Sequence, residues 1–317
     1  MDIKDNIKLA IDSDADLQED IKIGIYCMEK DEDDILEQWI LHHSKITSLE
    51  NIHIIDNMST SAKTHEILQK YISKGLNVCY EKDYKQKGTL IYNLIKRSNP
   101  DIAIPLDLDE FIYPLSRTES IRTLTSTTNA SSTSNARNDI ARETKRILYR
   151  LYIDYRDYNT TTGNNTTNNT TNNTNISSGR FAFKYYLTSE NDKLYYNDPI
   201  SEITKFSIVD LKSHNKKFFI AKCLTGLDHG HHTGTVANNS TEYTETDLIL
   251  VHYHFRGILK LIEKCRNDIR GLKIVKNIDN VSELNTKISQ NVPGSHNIKT
   301  YRDFLLYGAY YFTSFVT

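Results

Sequence analysis

The ten residues from Ile102 to Phe111, IAIPLDLDEF, restrict the fold more than any other stretch. Five apolar or small residues run straight into Asp107-Leu108-Asp109-Glu110. A short apolar run of this kind predicts a strand buried on both faces, as in a parallel sheet. A buried carboxylate is costly without a partner. The three acids are therefore expected to emerge at the carboxyl edge of the strand, where ligands bind in open α/β sheets. If the chain stays extended, Asp107 and Asp109 point to one side, because side chains alternate with a period of two. Two adjacent carboxylates repel, and a divalent cation relieves that repulsion. Hard oxygen ligands suit magnesium or manganese. The competing reading is a solvated acidic turn behind a core strand.

Strands and helices alternate up to this stretch. Ile21 to Met28 predicts a strand, followed by a helix over DEDDILEQWILHHSKI whose first turn is crowded with acids, a placement the helix dipole favours. Asn51 to Asp56 predicts a strand, Ser61 to Ser73 a helix closed by Lys74-Gly75, and Leu76 to Glu81 a third strand. Gln86 to Ser98 predicts a helix stopped by Asn99-Pro100, since the residue before proline avoids helical geometry. Alternation of this kind implies a parallel, doubly wound sheet.

Beyond Pro114 the pattern loosens. Ser116 to Leu124 predicts a helix, Thr125 to Ser134 a linker, Ala136 to Lys145 a helix, and Arg146 to Tyr155 a Tyr-rich strand. Asn159 to Ser178 is almost entirely Asn and Thr. It has no apolar area to bury and is expected to be a disordered insertion. FAFKYYL, KKFFIAKCL and LILVHYHF (Leu248 to Phe255) predict strands, and Ile258 to Ile269 a basic amphipathic helix. The organisation expected is a polar leader over 1–20, a nucleotide-binding half over 21–115, a second half over 116–275 with the insertion at 159–178, and a helical tail over 276–317.

The 317 residues suffice for one large α/β domain or two modest ones. Net charge is −2 and no long Lys/Arg cluster occurs, which argues against nucleic acid as the main partner. Cys27, Cys79, Cys223 and Cys265 form no C-x-x-C pair, so reduced thiols in a cytoplasmic protein are expected. The N-terminus is acidic and lacks an apolar core, unlike a signal peptide. No stretch has the length of a membrane span; Phe304 to Val316 comes nearest, and it is short and Tyr-rich.

Five segments in order resemble the motifs of family-2-like and family-92-like glycosyltransferases. KDEDDILEQWILHH is similar to their K-N-E…E-W…H opening, IIDNMST to a Y-D-N-x-S loop, and PLDLDEFI to a D-x-D-E-F motif. GHHTG resembles a G-N-H element and VHYHFRG an H-F-x-Y-R-S element. The set spans Ile21 to Gly271. Asp31 stands where the family commonly has Asn, and Gly257 where it has Ser. The resemblance implies a GT-A fold: a Rossmann-like, mostly parallel α/β sheet with a nucleotide-binding half and an acceptor-binding half. It also implies a nucleotide-sugar donor, expected to be a UDP-sugar, and inverting transfer to a glycan or protein hydroxyl.

On that footing a Mn2+ or Mg2+ ion bridges protein and diphosphate. Asp109 is the expected direct ligand, with Asp107 facing the ribose or a metal-bound water. The resemblance selects His252 as the late ligand, although His254 shares its strand face. An imidazole ligand tilts the choice toward manganese. Arg256 either neutralises the diphosphate or caps the next helix. Asp56 either reads uracil N3 or a ribose hydroxyl, or forms a turn. Glu32 matches the motif Glu or caps a helix; Lys30 meets phosphate or solvent. Gln86 and Lys87 open a helix near the donor, and Trp39 belongs to the core. His231 and His232 sit in a Gly-flanked loop, and His232 matches the family histidine. Inverting transfer needs a base, and Asp228, Glu202, Asp198 and Glu190 are the candidates, with Asp228 favoured beside the His cluster.

Two other classes compete. A sugar nucleotidyltransferase needs a Gly-rich basic loop after the first strand, where this chain has Glu29-Lys30-Asp31-Glu32-Asp33-Asp34. A non-catalytic carbohydrate-binding protein on the same fold does not require the acids and late histidine that remain.

Overall fold

A computed structural model describes residues 21–115, 130–162, 177–189, 206–210, 216–230, 234–236, 243–253 and 258–308. The first half runs β1 (Ile23–Glu29), α1 (Leu36–His43), β2 (Ile52–Asp56), α2 (Ala62–Ile72), β3 (Asn77–Tyr80), α3 (Lys87–Ser98) and β4 (Ile102–Pro105). The second half runs β5 (Glu110–Pro114), α4 (Ala130–Thr162), β6 (Ser178–Ser189), β7 (Phe206–Asp210), β8 (Lys217–Ile220), β9 (Leu224–Leu227), β10 (Gly234–Val236), β11 (Thr244–His252) and α5 (Ile258–Leu272). Two further helices follow, α6 (Val281–Ser289) and α7 (Ser295–Tyr307).

The main sheet has the strand order β3-β2-β1-β4-β8-β6-β11-β5, with β7 paired to β6. β1 to β4 pair in parallel. Antiparallel pairings join β4 to β8, β8 to β6 and β6 to β7, while β6 and β11 are parallel. This is a mixed α/β sheet whose first half, β1 to β4, is parallel and Rossmann-like.

The period of two sorts the strand side chains onto two faces. Ile23, Ile25 and Cys27 of β1, Ile52 and Ile54 of β2, and Ile102 and Ile104 of β4 pack with α1, α2 and α4 on one face. Tyr26, Met28, Ile55 and Ala103 pack with Ile91 and Ile95 of α3 on the other. β1 and β4 are buried on both faces, as the apolar runs predict. A separate cluster joins α5, α6 and α7 through Ile262, Cys265, Ile269, Leu284, Ile298 and Tyr301.

Local punctuation follows the residue types. Asn99 ends α3 in the left-handed conformation directly before Pro100, and Gly75 closes the turn after α2 at φ +107°. Ser61 caps α2 by accepting from Thr64 N–H at 3.3 Å. Gly88 at the start of α3 has no room for a Cβ, which would fall 2.5 Å from the Leu227 carbonyl oxygen. All four cysteines are free thiols.

Three expectations are corrected. Arg146 to Tyr155 is not a strand; it lies inside the single helix α4, as do the last residues of the expected linker and the first of the Asn/Thr-rich segment. Ile140, Thr144, Leu148, Leu151 and Tyr155 are buried along one side of that helix, a three-to-four spacing that packing rewards. Ser177 and Ser178 are buried at the entry to β6, and 163–176 lies outside the described residues. The acids at 31–34 do not form the first turn of α1, which starts at Leu36. Asp31 sits at φ 55°, a left-handed conformation that short polar side chains such as Asn and Asp tolerate. Among the described residues, no helix is long and apolar enough to cross a membrane.

Trp39 ties α1 to the strand that follows the acidic stretch. It is fully buried and its indole N–H donates to the Glu110 carbonyl at 3.0 Å. Trp39→Ala is expected to destabilise the chain by about 3–5 kcal/mol, read as a lower urea midpoint at unchanged slope.

Candidate active site

The acids after β4 do not continue the strand. Glu110 N–H donates to the Asp107 carbonyl at 3.0 Å, closing a tight turn before β5. Strand alternation therefore does not apply, and the carboxylates take separate partners. Asp107 pairs with Lys87 Nζ at 2.6 Å and Lys216 Nζ at 3.3 Å. Glu110, fully buried, pairs with Lys216 at 3.0 Å and accepts the Asp107 N–H at 2.9 Å. Asp109, also buried, meets His252 Nε2 at 3.0 Å and the Lys264 ammonium. Lys216 has no exposed side-chain surface. Burial pulls its pKa down, but Asp107 and Glu110 outweigh that and hold it above the usual lysine range.

Strand register assembles this group. β11 pairs antiparallel with β5, setting His252 opposite Glu110 and Val251 opposite Phe111. Tyr253 N–H then donates to the Asp109 carbonyl at 2.8 Å. Lys264 arrives on α5, the helix after β11. Lys87 opens α3, where Gly88 lets β9 approach closely.

Among the described residues, no group of three or more His, Cys, Asp or Glu stands where it could hold a metal ion. Asp107 is thus not gathered with Asp109 and His252 into one three-residue ligand set; lysines occupy both its oxygens. The Asp109–His252 pair by itself does fit a divalent cation. A carboxylate oxygen and an imidazole nitrogen lie 3.0 Å apart, and the Lys264 ammonium already rests against that carboxylate as a monovalent cation. Such a donor set suits manganese and leaves further positions to water or phosphate oxygen.

The group opens into a cleft of about 410 Å³. Glu29, Lys30, Glu32 and Asn57 wall its β1–β2 side, and Lys264, Asp268 and Asn297 wall the side made by α5 and α7. Lys30 Nζ donates to the carbonyls of Asn57 and Met58 at 3.1 and 3.2 Å, holding the loop after β2. Asp31 accepts Ser61 N–H at 2.7 Å. Asp56 is buried and accepts Ser59 N–H at 2.7 Å; it lies behind the lining. Ser59 Oγ in turn donates to Glu29 Oε1 at 3.2 Å. The outer oxygens, Glu29 Oε2 and Asp56 Oδ2, are buried without a hydrogen-bond partner. Burial, then the neighbouring Asp56 and Glu32, push the Glu29 carboxyl up to about 8.

Asp228 forms a turn, accepting Gly230 N–H at 3.2 Å; its neighbours His229 and Gly230, not Asp228, line the cleft. Trp39 is core, as expected. Lys87 lines the cleft while Gln86 does not. Glu190, Asp198, Glu202, His231, His232, His254 and Arg256 lie outside the described residues. Sequence reasoning missed Lys216, Lys264, Asp268 and Glu29. Lys264 and Asp268 carry a signal, an i, i+4 pair on one face of a basic amphipathic helix. Lys216 carries none, being one lysine before an apolar strand.

Two outcomes follow from this charge arrangement. Lys216→Met leaves Glu110 buried without its cation and is expected to destabilise by about 3–5 kcal/mol, read by urea unfolding. Glu29 keeps its proton in the folded chain up to about pH 8, whereas the unfolded chain releases it near pH 4.3. Stability contributed by this group therefore falls as pH rises between those values. Glu29→Gln retains an acceptor for Ser59 and removes that loss. Its melting temperature should match the wild type below pH 4 and exceed it increasingly up to pH 8; an advantage independent of pH refutes the assignment.

No protein-family model and no curated protein matches this chain. Among solved structures, S. aureus TarS 1–349 in complex with UDP is similar at a TM-score of 0.25 and 17% identity, over 29% of this chain and 28% of that chain. S. aureus TarS is similar at a TM-score of 0.26 and 17% identity, over 33% of this chain and 20% of that chain. The likeness spans about a third of this chain or less and a smaller share of TarS.

Proposed function

We propose that this chain is a metal-dependent glycosyltransferase that moves a sugar from a nucleotide-diphosphate donor, a UDP-sugar, to a hydroxyl of a glycan or protein. The observation that carries the reading is the meeting of Asp109 and His252 at 3.0 Å beside a cleft at the carboxyl ends of β1 and β2. Buried charge of this kind, at the ligand-binding edge of an α/β sheet, serves anion chemistry better than it serves stability.

Asp109 and His252 would hold the divalent cation, Mn2+ in preference to Mg2+. When bound, the ion supplies charge neutralisation for the departing diphosphate. The chain's own residues do the rest. Lys87 and Lys264 line the cleft and offer ammonium donors to phosphate oxygens. Lys30 and Asp31 brace the loop after β2 from two sides, which preorganises the nucleoside end. Asp56, through Ser59, fixes the same loop. Arg256 and His232 keep the diphosphate and sugar roles that the motif resemblance implies. The fully buried Glu110 and Lys216 set the turn that aims Asp109.

Mn2+ and UDP together should raise the melting temperature well beyond either alone. The stabilisation at a hundredfold excess over Kd is about 2.7 kcal/mol. Asp109→Ala should abolish the joint shift while the unliganded protein stays folded. A UDP shift that is the same with chelator and in Asp109→Ala refutes the metal role. No shift with any UDP-sugar refutes the donor.

A further inference from the structure

The cleft contains a carboxylate that none of the roles above employs. Asp268 lies on α5, one helical turn beyond Lys264, so the two share a face. It lines the cleft together with His252 and Asp107. Its two oxygens each accept one hydrogen bond from a neutral donor, Tyr84 Oη at 3.1 Å on Oδ1 and Asn297 Nδ2 at 2.6 Å on Oδ2. Each carboxylate oxygen has two acceptor sites, so each keeps one for a substrate hydroxyl.

Four other carboxylates that line the cleft are committed to other partners. Asp107 is neutralised by Lys87 and Lys216. Asp31 holds the backbone N–H of Ser61. Glu29 holds Ser59 and retains its proton to about pH 8. Glu263 pairs with Lys260 at 3.1 Å. Asp268, by contrast, carries one neutral side-chain donor on each oxygen and faces the cleft from α5.

Resting on the transferase reading, we propose that Asp268 is the general base of the sugar-transfer step. Its carboxylate takes the proton of the acceptor hydroxyl. The acceptor oxygen forms the new bond to the anomeric carbon as the bond from that carbon to the diphosphate oxygen breaks. The bonding pair leaves on the diphosphate, and the proton stays on Asp268 until it passes to solvent. A single displacement of this kind inverts the anomeric centre.

The surroundings tune the group for that task. Burial raises the Asp268 pKa to about 6, against the pull of Lys264 on its own helix, Lys87 on α3 and the Tyr84 hydroxyl, with Glu32 adding to the rise. Cys265, also on α5, stays a thiol because burial raises its pKa to about 12. Burial and Asp268 itself hold the Tyr84 phenol far above its ordinary range, so it remains a donor. A base poised just below neutral pH is ionised at work yet able to hold a proton.

The test uses UDP-glucose, UDP-galactose and UDP-N-acetylglucosamine with Mn2+, water serving as acceptor and UDP release as the rate. Asp268→Asn should lower turnover by about 10²–10⁴-fold and remove the acid limb near pH 6, with UDP affinity and melting temperature unchanged. Tyr84→Phe removes a hydrogen bond that favours the charged form, so the acid limb should move to higher pH; this reading stands even if Asp268→Asn folds poorly. Undiminished turnover in Asp268→Asn, or an acid limb unmoved by Tyr84→Phe, overturns the assignment alone. Loss of UDP affinity in step with turnover makes Asp268 a structural post and also overturns it. A wild-type protein that binds no UDP sinks the transferase reading, and this one with it.

Discussion

Three carboxylates and three lysines, knotted together by ion pairs at the end of β4, are the constraint on which the rest of the molecule depends. Asp109 and Glu110 are buried, and Lys216 has no exposed side-chain surface. Several kcal/mol of desolvation per ion must be offset by contacts of good geometry. The lysines come from three separate places: the first turn of α3, the approach to β8, and α5. If any one of these elements shifts, a charge is stranded in the interior. The knot thus couples the two halves of the chain, and it leaves Asp109 facing His252, with His252 and Lys264 both lining the cleft.

That coupling explains why the C-terminal helices matter to the site. α5, α6 and α7 share a small core of their own, yet α5 carries Lys264 to Asp109 and Asp268 to Tyr84. The same helix binds Asp33, after β1, through Lys260 at 3.4 Å. The helical unit forms one wall of the cleft, and the carboxyl ends of β1 and β2 form the other. Under the proposed transferase reading, the sheet edge would hold the donor and α5 would flank the acceptor.

Much of the first half is legible from residues alone. The strand runs of β1, β2 and β4 are short and rich in Ile, each helix has a three-to-four pattern, and Asn99-Pro100 and Gly75 punctuate where left-handed or breaking residues must stand. Arg146 to Tyr155 misled because Tyr and Ile favour strands in isolation. The buried spacing of Ile140, Thr144, Leu148, Leu151 and Tyr155 shows that packing against β5 and β11 overrode that preference. The acids at 31–34 misled for another reason. They suit a helix start, but Asp31 instead bonds across to the loop after β2, and a contact of that range leaves no periodic trace.

The sequence by itself determined the alternation of strand and helix and the burial of β1 and β4. These follow from side-chain period, which is local, whereas the cost of burying charge did not bring Asp109 and Glu110 to the surface, because lysines and His252 pair with them. Only the tertiary structure decided that Asp107 and Asp109 part company, that lysines neutralise the turn, and that Asp268 shares the cleft. Those outcomes depend on a hydrogen-bonded turn, an antiparallel register and helix packing between segments far apart in the chain. Such contacts are set by complementary surfaces meeting in space, and no short window of residues encodes them.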